Sequence, residues 1–250
     1  VIEKLSFFRS FQNSKLLQAQ KECLYEFIIS PSLVVATAYF DILHDISLLT
    51  PEHAKIEKSK VEINPSSFHE QAEKRGFNIQ EVDKMVNQIQ INEENPVLSL
   101  PQLIEQLMRI ADTHRGLTRQ ERKEINLIGI KMRSSLYRNI YYSALNDASR
   151  DKLLNLALED FKKWILLEED LPEKSRSLDP FLNAGFLLFE HACRFKGKKN
   201  KTIRNEFIKD SERWFRQVLS INSEEVEALY GVGRIYQVRE QYSSAIGAFS

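Results

Sequence analysis

The sequence predicts an all-α fold in which an irregular helical bundle leads into antiparallel helix hairpins stacked as a solenoid. Three observations predict it. The 250 residues include only eight Gly and seven Pro, about half of average usage, which favours long helices with short connections. Apolar residues recur at helical spacing through almost the whole chain, and no run reads as a strand. Near the C-terminal end, Phe215 and Phe249 stand 34 residues apart, as do Ser211 and Ala245. A period of that length marks helical units that bury their apolar faces only against a neighbour.

Taken in order, the pattern begins with Phe8, Phe11, Leu16, Leu17, Ala19, Cys23, Leu24 and Phe27, a helix from Phe7 to Ile29 that Ser30-Pro31 ends. A buried helix at about Pro31 to Leu49 packs on it. Thr50-Pro51-Glu52 opens a shorter, more polar helix to about Ile63, and Asn64-Pro65 closes it. Ser66 and Ser67 begin a short helix that stops at Gly76. Asn78 and Glu81 form a capping box for a helix from Ile79 to Ile91, and residues 92–96 are a loop. Leu100 to His114 repeats the pattern.

Thr118 and Glu121 make a second capping box, which starts the longest helix. It keeps Ile125, Ile128, Met132, Leu136, Ile140 and Ala144 on one face as far as about Leu145. Asp147 opens the next, with Leu153, Leu154, Ala157, Leu158, Phe161, Trp164 and Ile165 as a broad stripe ending near Leu171-Pro172. Beyond a polar linker, Asp179-Pro180 caps a helix to about Phe195. Lys196 to Lys201 is a basic loop, Thr202 to Leu219 is helical, and Glu224 to Val238 with Tyr242 to Ser250 form a closing pair. The domains are therefore a helical region over 1–114 and repeats over 118–250. Opening at Val1 and stopping inside a helical pattern, the chain reads as a piece of a longer one, with the repeats continuing past Ser250.

Composition narrows the function classes. Lys plus Arg equals Asp plus Glu at 35 each, which removes the broad electrostatic attraction expected of a dedicated DNA-binding or membrane-surface protein. Cys23 and Cys193 have no CxxC spacing and sit among apolar neighbours, so they read as buried free thiols in a reducing compartment, the cytoplasm. The most apolar stretch, Ser32 to Leu49, is interrupted by Asp41, His44 and Asp45 and makes a poor membrane span. No signal peptide is visible.

The 34-residue echo comes with a spacing pattern. Leu229, Val232, Gly233 and Tyr236 reproduce W-x2-L-G-x2-Y in the first helix of the last pair, and Ala245 with Phe249 gives A-x3-F in the second. Small Gly233 and Ala245 let two helices approach, while Leu229, Tyr236 and Phe249 fill the space within and between hairpins. This resembles the tetratricopeptide repeat family, clearest over residues 226–250. A weaker unit runs from 179, with Phe181, Ala184, Gly185 and Leu188 matching the first helix and Phe215, Val218 and Leu219 the second. Its hairpin is about 14 residues longer than the norm. A still weaker unit begins at 118, with Ala157 and Phe161 in its second helix. Asn222-Ser223 stands where the family has a helix-ending Pro.

What the resemblance implies is a protein-binding scaffold or adaptor, not an enzyme, which holds a peptide or partner helix in a concave groove. The groove-facing set is Asn183, Phe186, Glu190, Tyr230, Arg234 and Gln237. For each aromatic, core packing is the competing assignment, favoured for Phe186 and evenly matched for Tyr230. Arg234 is more often a solvated surface residue than a ligand anchor. The family's two-carboxylate clamp needs Lys and Asn on consecutive first helices, and only Asn183 fits, so capture of an acidic C-terminal tail is not expected.

Other constellations give less. Lys196, Lys198, Lys199, Lys201 and Arg204 could grip an anion or an RNA backbone beside Phe195, though a solvated loop explains them better. Glu190, His191 and Cys193 are metal-ligand types without a spaced set, read as a surface histidine and a core thiol, so no metal or cofactor is expected. His44 with Asp41 and Asp45 has no nucleophile near it and reads as helix-surface polarity. GxGxxG, GxxxxGK[ST] and GxSxG are absent. The expected partner is another protein or peptide, with no membrane and no nucleic acid. The alternatives are a regulatory helical region of a larger enzyme or transcription regulator, and RNA binding through the basic loop at 194–204.

Overall fold

A computed structural model describes residues 18–47, 66–88, 96–172 and 175–249, and among the described residues the protein is all-α, with no strand. Residues 18–29 are helical (α1). Then follow α2 (Leu33–Ser47), α3 (Ser66–Lys74), α4 (Ile79–Gln88), α5 (Pro96–Thr113), α6 (Arg119–Ser143), α7 (Asp147–Glu168), α8 (Asp179–Arg194), α9 (Lys201–Ile221), α10 (Val226–Val238) and α11 (Tyr242–Phe249). The opening of the predicted first helix, the polar helix at 50–63 and the loop at 92–95 lie outside the described residues.

Local chemistry sets most helix starts. At α6 the capping box forms in full: the Glu121 amide donates to Thr118 Oγ1 at 3.2 Å, and the Thr118 amide donates to Glu121 Oε2 at 2.9 Å. At α4 it does not, because the Asn78 side chain instead accepts from the Gln80 amide at 3.0 Å, a tighter two-residue turn. The helix α5 starts four residues earlier than the predicted Leu100, with Pro96 at its first position, where a missing N–H costs nothing. Pro101 therefore falls inside the helix and removes one backbone bond. Asn146 caps α7 by accepting from the Ser149 amide at 2.8 Å.

The chain divides into two compact units on either side of the Leu136–Tyr137 bond, which lies within α6. In the first, Leu24, Tyr39, Phe40, Leu43, Leu100, Ile104, Leu107 and Ile125 are buried. Gln20 Nε2 donates to the buried Tyr39 hydroxyl at 2.9 Å, so that polar group is satisfied. Along α6, burial does not follow the single predicted stripe: Ile128 and Met132 are half-buried, whereas Arg133 and Ser134 are buried. Arg133 can be buried because its guanidinium lies 3.6 Å from Glu105 Oε2.

In the second unit, α7 packs on α8, α8 on α9, α10 on both α8 and α9, and α11 on α10. Ser211 Oγ of α9 donates to the Gly185 carbonyl of α8 at 2.7 Å, and Phe207 lies edge-on to His191 at 4.6 Å. Earlier residues of α9 thus meet later residues of α8, so the two run antiparallel. By the same test α8 and α10 run parallel: Gly185 and Gly231 both face the Phe215 ring, and one turn on, Arg234 lies over Phe189.

Phe215 is fully buried, and burying it is worth about 1.5–3 kcal/mol. The ring fits because two glycines make room. A Cβ on Gly185 would come within 2.7 Å of it and one on Gly231 within 2.5 Å. The last hairpin repeats the arrangement, with the Phe249 ring pressed on Gly233 and Ala245 buried. Tyr236 accepts from Arg216 at 3.2 Å, and Glu212 holds Arg216 and Arg239, each at 2.6 Å, tying α9 to α10. The buried Glu168 accepts from Trp164 Nε1 and the Ser177 amide, both at 2.8 Å, and so holds the linker after α7 in place.

Gly231→Ala is expected to lower the unfolding free energy by about 1–3 kcal/mol through overpacking. Gly247→Ala, where nothing lies within 4 Å of an added Cβ, should leave stability unchanged or raise it by about 0.5–1 kcal/mol. Urea denaturation of the two variants checks both, and equal effects would contradict the packing described.

Candidate partner-binding face

The face begins with the C-terminal end of α6, from Tyr137, and continues over α8 and α10. Arg138 on α6 donates to the side-chain carbonyl of Asn183 on α8. One turn further along, Tyr142 shares a hydrogen bond with Glu190. Partial burial together with that carboxylate raises the phenol's pKa above its ordinary value. Across α8, the Arg234 guanidinium lies 5.4 Å from the centre of the Phe189 ring and 5.7 Å from that of Tyr230, and it donates to the Tyr230 hydroxyl at 2.9 Å. Tyr230 is itself 6.0 Å from the Phe249 ring.

Each residue of the predicted groove set therefore has a definite place. Asn183 is half-buried, Glu190, Tyr230, Arg234 and Gln237 are exposed, and Phe186 is half-buried. The Phe186 ring stands edge-on to Phe215 at 4.8 Å, so it works as packing between hairpins as well as lining. Arg234 is not a freely solvated side chain, since stacking over two rings is worth about 0.5–1 kcal/mol at an exposed site. Arg138 and Tyr142 were not singled out from the sequence. The available signal was their four-residue spacing on the helix before α7, in the unit whose first helix had only been placed broadly.

The basic segment is organised differently. Gly197 takes a positive φ of 88°, which lets the chain turn out of α8 into a 3-10 turn at Lys198–Asn200. Lys196, Lys199 and Lys201 are exposed and Arg204 is half-buried, while the Lys198 side chain lies outside the described part. Arg194 is engaged by Asp147 at 2.9 Å. Phe195 is stacked on Phe207 at 5.7 Å and stands edge-on to His191 at 5.2 Å, so packing takes up one face of its ring.

The reading of the residues before this loop needs correcting. His191 is buried, at 2% exposure, and Cys193 is exposed, the reverse of the expected surface histidine and core thiol. The stripe of α8 that faces α7 and α9 carries Leu188, His191 and Ala192, which turns Cys193 outward. Cys23 is only partly buried, with its thiol 3.8 Å from the Val35 carbonyl. His191 Nδ1 pairs with the Tyr141 hydroxyl at 2.9 Å, and Nε2 lies 3.4 Å from Asp151 Oδ1. Among the described residues no group of three or more His, Cys, Asp or Glu could hold a metal ion. Asp41, His44 and Asp45 are all exposed on α2. Among the described residues no helix is long and apolar enough to cross a membrane. No family model, no curated protein and no solved structure matches the chain.

Burial lowers the pKa of His191, with Asp151 opposing the shift. The unfolded chain therefore binds this proton more readily than the folded one, so the stabilisation is present above the ordinary histidine value of about 6.5 and is lost as the pH falls below it. The urea midpoint should drop between about pH 7.5 and 5.5, a window above that in which Asp147, Glu121 and Glu212, all with lowered pKa values, begin to titrate. His191→Gln should flatten that drop, and a variant with the wild-type pH dependence would contradict the assignment.

Proposed function

We propose that residues 137–250 form a tetratricopeptide-like array whose first helices, α6, α8 and α10, present a face that holds a peptide or helix of another protein. The observation that carries this reading is the recurrence of one contact. In each of two successive hairpins, a glycine of the first helix, Gly185 or Gly233, receives a phenylalanine of the second, Phe215 or Phe249. The two phenylalanines stand 34 residues apart. Hairpins that pack through the same contact place equivalent helices side by side, and the parallel run of α8 and α10 fits that arrangement. Beside the amides Asn183 and Gln237, the half-buried Phe186 and the carboxylate Glu190, this face carries two tyrosines and two arginines, types enriched at protein interfaces. One face of the Phe195 ring is taken up by packing, and the formal charge balances, which favours a polypeptide partner over RNA.

Replacing Tyr230 and Arg234 together by Ala should reduce capture of protein partners by about tenfold or more, in line with loss of a central interface pair, while the far-ultraviolet circular dichroism stays unchanged. Quantitative affinity capture of wild-type and variant protein decides it. Equal recovery of the same partners by both would overturn the groove assignment.

A further inference from the structure

Resting on the groove reading above, we infer that the partner segment is acidic, its carboxylates received by the guanidinium groups of Arg138, Arg204 and Arg234 around α8. The arginines of this unit are put to different uses. Of the nine between Tyr137 and Ser250, five are paired with carboxylates: Arg150 and Arg194 with Asp147, Arg213 with Asp210, and Arg216 and Arg239 with Glu212. Arg176 is spent on the carbonyls of Leu171 and Glu169. Among the described residues the remaining three have no carboxylate partner. Arg138 holds only the Asn183 amide and Arg234 only a phenol and two ring faces. Arg204 has a buried Nε with no hydrogen-bond partner at all.

These three are not scattered. Arg138 stands beside α8 at Asn183 and Arg234 over Phe189. The antiparallel register set by Gly185 with Ser211 and His191 with Phe207 brings Arg204 opposite the C-terminal end of α8. Arg204, Arg234 and Glu190 all act electrostatically on the exposed Cys193 thiol, which places their charges in its neighbourhood. Arg234 of the groove set and Arg204 of the basic patch, separate in the sequence, therefore both adjoin the C-terminal half of α8.

Neutral partners hold a guanidinium in position without cancelling its charge, and a planar fork so held is suited to bidentate carboxylate recognition. The exposed acids of α8 and α10 are Asp179, Glu190 and Glu227; among the described residues none forms an ion pair with these arginines, and Glu190 interacts instead with Tyr142. Over residues 137–250 the sequence carries eighteen Lys and Arg against seventeen Asp and Glu. The unit thus lacks the broad positive field that draws a nucleic acid, and recognition falls to these few placed charges.

The test is fluorescence anisotropy of the full chain with a labelled Glu-rich peptide, its Gln-substituted twin, and an oligouridylate RNA. The Glu peptide should bind at least about tenfold more tightly than the Gln twin, and its affinity should fall as salt is raised. Arg138→Gln, Arg204→Gln and Arg234→Gln should each weaken it about threefold to tenfold, with partial recovery in the matching Lys variants, whereas Lys209→Gln, on an exposed part of α9, should not. Bound Glu peptide should also slow alkylation of Cys193 by iodoacetamide.

Equal binding of the Glu and Gln peptides, both lost in Tyr230→Ala, would overturn the acidic inference and leave the groove reading standing. Arginine-dependent binding of the Glu peptide that ignores Tyr230→Ala and Tyr142→Ala would support the acidic site and overturn the groove. Tighter binding of the RNA than of the Glu peptide would overturn the acidic-peptide assignment.

Discussion

The second unit depends on the admission of one aromatic ring between three helices. Phe215 projects from α9 into the space that Gly185 on α8 and Gly231 on α10 leave by having no side chain. Any larger residue at either glycine would push a helix outward, because interiors packed at crystal-like density have no slack to absorb a methyl group. The ring thereby fixes the separation of α8 from α10. The spacing of the side chains on the exposed side of those two helices follows from it. Arg234 reaches Phe189 because the helices that carry them are held this close.

The polar contacts are arranged around that apolar constraint. Ser211 closes the α8–α9 pair through the Gly185 carbonyl, Glu212 ties α9 to α10 through two arginines, and Glu168 anchors the linker that leads into α8. Most of the unit's carboxylate–arginine pairs lie on these structural joints or on single helices. What is left on the α6–α8–α10 side is chemically different: guanidinium groups held by an amide, a phenol and ring faces, with tyrosine hydroxyls beside them. Charge used for holding the fold is neutralised within it. On the candidate face, Arg138 and Arg234 are positioned by neutral groups and form no ion pair among the described residues, with the exposed carboxylate of Glu190 nearby.

Much of the helical framework was legible in the sequence because helix periodicity and caps act over a few residues. Thr118 with Glu121, the break at Gly76, and the limits of α7 to α11 within about three residues all follow from local rules. Long-range facts were less legible. Nothing local distinguishes His191, inside, from Cys193, outside, two positions apart on one helix whose neighbours on both sides set its burial. The same limit hid Arg138, whose relevance comes from Asn183, 45 residues later. It also hid the approach of both Arg204 and Arg234 to the C-terminal half of α8, which requires the hairpin register. Gly185, Gly233, Phe215 and Phe249 were readable in advance because a repeated spacing exposes a tertiary constraint in the sequence itself, whereas Gly231, outside that spacing, was not.

The central claim is that the side formed by alternate helices, with Arg204 reaching it from the start of α9, and not the outer side of α9 at Lys209, receives the partner. It is tested most directly by photo-crosslinking, with benzoylphenylalanine placed either at position 230 on α10 or at the exposed position 209 on α9. The account predicts partner adducts from position 230 and none above background from position 209. Adducts from 209 alone, or equal yields from both, would contradict it.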